Sequence, residues 1–391
     1  MEKINLGSFE MEVKKSFFFN GLNELRAIAA LAVIYHHVEL SNDFNPIKSH
    51  FAFLDYFTGN LGKNGVFLFF VLSGFLITYL LLQEKEKCKT IFLKKFFLRR
   101  IYRIWPLYYL IFALSVLLIP YLAVHFDIFK EDLSSYHRII DGHNYGIKGI
   151  VFYLFFMPNV ALYSGYFITG CSQAWSVGVE EQFYMLWPFL VMFFNKKRII
   201  QVFLTFLFLF PVLIFLAKNN CIFYPLSVII KCLPFHFMAI GSIGGYLFFT
   251  KNQLIEQYTR SKWGYICIIS FIFCFLFYQF FSNEIQEIAI SFLFLILILF
   301  TINDRNQWVF RNRLFSYLGK ISYGIYMYHT FVMFLVFPFV NKYFSNFQEG
   351  ICYNILLYPL IFSITIVLSS LSYHYFELKF IKIKDTKFKT I

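Results

Sequence analysis

Charge is what this sequence has least of. Only 15% of its 391 residues are Asp, Glu, Lys or Arg, against about 25% in a soluble globular protein. Meanwhile 59% are hydrophobic and the mean hydropathy is +0.62. So few charges cannot cover a water-facing surface, which excludes a soluble enzyme and leaves an integral membrane protein. Paired cysteines are also lacking. The seven are scattered with no Cys-x-x-Cys pair, so neither a zinc site nor a disulfide framework is expected. No small-residue cleavage site follows a short apolar core after Met1–Lys15, so no cleavable signal peptide is read there. No internal repeat is visible, which counts against an inverted-repeat transporter.

What is abundant is apolar sequence and basic charge. The 57 phenylalanines are read as filling lipid-facing positions, without functional weight. A spanning helix needs about 20 mainly apolar residues, and ten segments meet that length: 21–40, 64–83, 101–124, 179–195, 199–217, 226–249, 264–281, 285–303, 315–340 and 353–377. A further apolar stretch, 149–163, is short and carries Pro158 and Asn159; it is read as re-entrant or interfacial. The net charge of +13 acts as a topology signal, because cytoplasmic loops collect Lys and Arg. Ten spans with both termini cytoplasmic put 27 of the 35 basic residues inside. Counting 149–163 as a span inverts every later loop and leaves at most 15 there. The fold class expected is all-α, a polytopic membrane protein with about ten transmembrane helices. It divides into a cytoplasmic segment 1–20, a membrane domain 21–378 with an outer loop over about 124–178, and a basic cytoplasmic tail 379–391.

Ionisable residues within spans are costly unless paired or facing a wet cavity, so each is a functional candidate. The first span carries Arg26, His36 and His37. Eleven residues at about 100° each close nearly three turns, so Arg26 and His37 share a face, roughly 16 Å apart along the axis. A snorkelling arginine and an interfacial histidine explain the pair equally well. Entering the fourth span, Glu180 and Glu181 are followed by Gln182; two carboxylates and an amide together favour a polar pocket over helix-dipole compensation alone. The run Lys94, Lys95, Arg99, Arg100, Arg103 makes a cationic helix face. It suits phosphate recognition and serves equally as a positive-inside anchor. His329 sits in the outer half of its span. His236, with Gly241, Gly244 and Gly245, suits close helix packing, and Glu377 has lysines nearby.

Five elements, in order, carry a resemblance: Asn23-Glu24-Leu25-Arg26 with His37, Gly65–Ile77, Arg99-Arg100-Ile101-Tyr102-Arg103, Trp175–Tyr184, and Gly319–His329. Together they resemble the bacterial acyltransferase-3 membrane family across most of the chain. Asn23 stands where that family commonly has Asp, and Gly178 where Ser is frequent. The resemblance implies an O-acyltransferase of the bacterial plasma (inner) membrane. Such an enzyme moves an acyl group, usually acetyl from acetyl-CoA, to a hydroxyl of a cell-envelope or exported glycan such as O-antigen (lipopolysaccharide), capsule or exopolysaccharide. Many relatives carry a fused extracellular hydrolase-like domain, and none is read in these residues.

On that resemblance His37 is expected to take the acceptor hydroxyl's proton, Glu180 or Glu181 to orient His37 or the sugar, and His329 to belong to the same catalytic group. Arg26, Arg99, Arg100 and Arg103 are expected to hold the phosphates of acetyl-CoA. The four catalytic candidates fall in the outer half and the four arginines toward the cytoplasm. No metal and no nucleic acid are expected; the partners are the lipid bilayer and the glycan, with a homo-oligomer left open. Direct transfer and a covalent acyl-enzyme both fit, and a transporter or flippase of a lipid-linked glycan is the rival reading.

Overall fold

The computed structural model describes residues 19, 21–41, 60–130, 146–253, 257, 283–302, 312–344 and 351–387. Among the described residues the secondary structure is helical throughout. Nine of the ten apolar segments expected to span are helical where described, two of them, 226–249 and 315–340, each broken into two helices; the tenth, 264–281, lies outside the described residues, as do His137, Asp141 and His143 of the outer loop. The helices are α1 Leu22–Ser41, α2 Leu61–Cys88, α3 Leu93–Ala113, α4 Ile119–His125, α5 Gly146–Leu154, α6 Pro158–Tyr163, α7 Ala174–Phe193 and α8 Lys196–Lys218. They continue with α9 Tyr224–Lys231, α10 Phe235–Phe249, α11 Asn283–Thr301, α12 Arg313–Lys320, α13 Ser322–Tyr343, α14 Ile351–Ser372 and α15 Leu378–Lys387.

By length and composition five described helices can cross a membrane, and the α9–α10 pair, bent by 44°, makes a sixth if it counts as one broken span. Several exceed the bilayer. The continuous rod Leu93–His125 has 33 residues, about 50 Å at 1.5 Å per residue, against a hydrocarbon core of about 30 Å. Its start at Leu93, eight residues before the apolar segment, carries the arginines on helix rather than loop. Pro120 stands in the first turn of α4. With no N–H to give the ladder, it is preceded by a π turn at Leu114–Leu118.

α1 is the axis of the bundle, packed against α2, α12 and α13. Its alanines make that close approach feasible: Ala27, Ala29 and Ala30 are fully buried, and small residues let backbones meet where no water drives helices together. α2 packs on α10 even more intimately. A methyl on Gly74 would lie 2.0 Å from the Met238 carbonyl oxygen, and one on Gly241 2.0 Å from that of Val71. The Ser242 hydroxyl seals the contact by donating to the carbonyls of Met238 (2.9 Å) and Gly74 (3.3 Å). The phenylalanines, expected at the lipid face, also build the core: Phe70, Phe75, Phe183 and Phe203 are among its largest fully buried side chains. Trp187 is stacked between Phe183 and Phe203, and its Nε1–H donates to Thr78 at 2.7 Å.

The 149–163 stretch is two short helices, α5 and α6, of nine and six residues. At roughly 14 and 9 Å neither spans a bilayer. The break falls at Phe156, which adopts a left-handed backbone with φ +56°. Carbonyls freed there are satisfied from neighbouring helices, as buried backbone groups must be. Tyr108 donates to Tyr153 O (2.8 Å), Tyr109 to Leu154 O (2.9 Å) and Gln182 to Phe156 O (2.8 Å).

Candidate active site

Seven helices, α1, α2, α3, α7, α12, α13 and α15, line a cavity of about 500 Å³. Its cations are Arg26 from α1, Arg100 and Arg103 from α3, Lys320 at the end of α12 and Lys384 on α15; its carboxylates are Glu180 from α7 and Glu377 just before α15. Five positive groups against two negative ones leave a cationic chamber. Among the described residues, Arg26, Arg100, Arg103 and Lys320 have no carboxylate within 4 Å. Arg26 has only a long, 3.5 Å contact to the Asn23 amide oxygen, so the Asn at that position gives it no counter-charge. The Arg100 guanidinium lies over the Tyr184 ring, 5.0 Å from its centroid. Unpaired cations in a partly enclosed site are costly and mark a place for an anion.

The run of arginines divides. Arg100 and Arg103, three apart, face the cavity, whereas Arg99 turns away and pairs with Glu84 at 3.2 Å. Glu84 also accepts the Phe92 backbone N–H at 2.9 Å, so Arg99 and Glu84 together fasten the start of α3 to the end of α2.

The neighbouring glutamates divide too. α7 starts at Ala174, inside the protein, because the chain before it is already buried at Ile168, Cys171 and Gln173. Glu180 is therefore set not beside the histidines of the outer half, as expected, but in the chamber with Arg26 and Arg100. There it accepts from the Tyr184 hydroxyl at 2.7 Å and is hydrogen-bonded to Ser73. Glu181, about 100° further round the helix, points to α3, where Trp105 Nε1–H donates to its Oε2 at 3.1 Å. Its Oε1 is buried with no hydrogen-bond partner among the described residues. Gln182, expected to contribute to a polar pocket, instead clamps the broken helix pair through Asn159 (2.9 and 3.0 Å), whose amide in turn donates to Cys232 O at 3.0 Å.

His37 and His329 come together from α1 and α13, ring centroids 4.9 Å apart. His37 Nδ1 lies 2.9 Å from Val33 O, and His329 Nδ1 2.6 Å from Tyr326 O. A carbonyl only accepts, so in each ring Nδ1 carries the hydrogen and Nε2 presents a lone pair. His329 is 0% exposed and its Nε2 has no hydrogen-bond partner among the described residues, while His37 is half-buried. His37 is thus the ring an incoming group can reach, and His329 stands behind it. His36 lies on another face, its ring 5.5 Å from that of His37.

The histidines do not line the chamber; Tyr326 connects the two regions. It lines the cavity, its carbonyl holds His329, and its hydroxyl shares a 2.6 Å hydrogen bond with Ser176 and donates to Gln173 O at 3.0 Å. Gln173 in turn donates to Met327 O and accepts from Thr330, both at 2.5 Å. Sequence reasoning gave no role to Tyr326, Ser176, Ser73 or Tyr184, although helical spacing marks three of them: Tyr326 three before His329, and Ser176 and Tyr184 four to either side of Glu180. No group of His, Cys, Asp and Glu able to hold a metal occurs among the described residues.

A family model described as an acyltransferase domain matches residues 19–374. A candidate O-acetyltransferase of Staphylococcus aureus strain COL is 26% identical over 417 aligned positions, covering 94% of this chain and 58% of that protein. The O-acetyltransferase OatA of Staphylococcus aureus strain NCTC 8325 / PS 47 is 26% identical over 402 positions, 92% of this chain and 57% of that protein. The peptidoglycan O-acetyltransferase OatA of Listeria monocytogenes is 30% identical over 180 positions, 45% of this chain and 24% of that protein. The chain thus spans rather more than half the length of the Staphylococcus aureus relatives. No solved structure matches.

Proposed function

The chain belongs to the acyltransferase domain family, and on that premise we propose that it is a membrane O-acetyltransferase. It takes acetyl from acetyl-CoA at the cytoplasmic face and places it on a hydroxyl of a cell-envelope or exported glycan. The observation that carries this reading is the chamber itself, with five cations around one cavity, four of which have no carboxylate within 4 Å among the described residues. A diphosphate and a phosphomonoester supply the missing anions, and arginine forks match phosphate oxygens.

In this reading Arg26 and Arg100 guide the donor inward, with the Arg100 guanidinium held over the Tyr184 ring. His37 Nε2 accepts the proton of the acceptor hydroxyl as its oxygen bonds to the acetyl carbonyl carbon. The carbon–sulfur bond then breaks, and the thiolate leaves with the proton as free CoA. Such general base catalysis contributes about 10²- to 10⁴-fold in rate. His329, out of the acceptor's reach, acts through His37 as a positioning residue.

The test is release of CoA thiol by purified protein in nanodiscs. Free thiol that forms only when a glycan acceptor is added, with acetylated glycan found by mass spectrometry, supports the enzyme. Glycan translocation without thiol release would instead mark a transporter.

A further inference from the structure

Two of the five cations of the chamber have no role in the sequence reading. Lys320 lies within the Gly319–His329 element with no part assigned to it there, and Lys384 lies beyond residue 374, where the family match ends. Yet both line the cavity with Arg103. α14 passes through a π turn at Tyr373–Glu377 into α15, and π turns shift the register of the side chains that follow. As a result Tyr373, Glu377, Ile381 and Lys384, at intervals of four, four and three, all fall on the cavity wall. α15 packs along α3 but buries none of its own residues, so it is not there to complete a core.

Arg103 and Lys320 are exposed, and Lys384 is partly so; these three form the rim, whereas Glu180, Ser73 and Tyr326 lie toward the interior. Among the described residues Lys384 pairs with Asp385 at 3.1 Å. Because that carboxylate is 64% exposed, the pair is screened by water and holds the lysine only weakly. A donor whose thioester must travel inward toward Tyr326 and the histidines leaves its other end at the rim. In acetyl-CoA that end is the nucleotide with all of the phosphates.

Resting on the donor reading above, we infer that Arg103, Lys320 and Lys384 form a phosphate subsite for the nucleotide end of the acyl donor, and that α15 is the wall that completes it. Lys320 and Lys384 then determine donor choice, favouring a nucleotide thioester over a bare pantetheine thioester.

The experiment compares acetyl-CoA with acetyl-pantetheine, which carries the same thioester and no phosphate. The full chain is used in nanodiscs of phosphatidylcholine alone, so that anionic lipid cannot contribute. The double variant K320Q/K384Q should lower kcat/KM for acetyl-CoA about 10-fold or more, through KM, since one charge-assisted contact is worth roughly that factor. Its kcat/KM for acetyl-pantetheine should move far less, and K320R/K384R should restore the preference. Equal losses with both donors, or an unchanged KM for acetyl-CoA, overturn the subsite. Wild-type protein that turns over neither thioester overturns the donor reading instead, and the two failures are distinct because the second is seen before any lysine is changed.

Discussion

His37 and His329 show how much a single ring orientation decides. With Nδ1 of each ring committed to a carbonyl, proton chemistry is confined to Nε2. His37→Ala should therefore reduce transfer by about 10² or more in protein that still reaches the membrane, measured as acetylated product per purified protein; a rate near wild type would remove His37 from the mechanism. His329→Ala should lower kcat with little change in KM for either substrate, since nothing bound reaches that ring. At this scale the sequence was legible where residue type decides: Arg26, Arg100 and Arg103, singled out as costly charges, line one cavity. It was silent where partners are distant in the chain. Arg99 is drawn off by Glu84, and Glu181 by Trp105, 76 positions earlier, and neither pairing leaves a local trace. The adjacent glutamates consequently looked like one site although their side chains enter different surroundings.

At the scale of elements, helix contacts rest on close approach, and that makes them brittle. Gly241→Ala places a methyl where the Val71 carbonyl already stands, so α2 and α10 must separate. The change should cost about 1–3 kcal/mol, as overpacking does, read as a drop in thermal stability in detergent with residual activity falling in parallel. Gly178 is a sharper case. It occupies a position where the family often has Ser, and a side chain there would meet Pro158 Cδ at 2.7 Å. Glycine at this point is matched to proline in the broken helix pair, so Gly178→Ser should displace α6 and destabilise the protein. The double change Gly178→Ser with Pro158→Ala should recover part of the loss, measured by melting temperature; no recovery would mean that the two positions are not coupled. Helix existence was legible from apolar length. The breaks were not, because a π turn or a left-handed residue at Phe156 depends on what neighbouring helices offer to freed carbonyls.

Across the whole molecule, the separation of two polar regions along α1 would set the direction of the proposed reaction. The cationic chamber opens among residues that the positive-inside bias assigns to the cytoplasm, and His37 stands three helical turns away, about 16 Å along the axis. The intervening wall is Tyr326, hydrogen-bonded to Ser176 and Gln173. On the proposed function, an enzyme built this way would draw its donor from one side of the membrane and serve an acceptor on the other. Inverted membrane vesicles expose the cytoplasmic face, so acetyl-CoA added outside them should be consumed when acceptor is enclosed. Right-side-out vesicles given the same external acetyl-CoA should consume almost none until they are permeabilised. Thiol release followed in both preparations, with the leak measured by an enclosed dye, separates the outcomes. Equal consumption in intact vesicles of both orientations would show that the donor does not enter from the arginine side and would invert the assignment of the two regions.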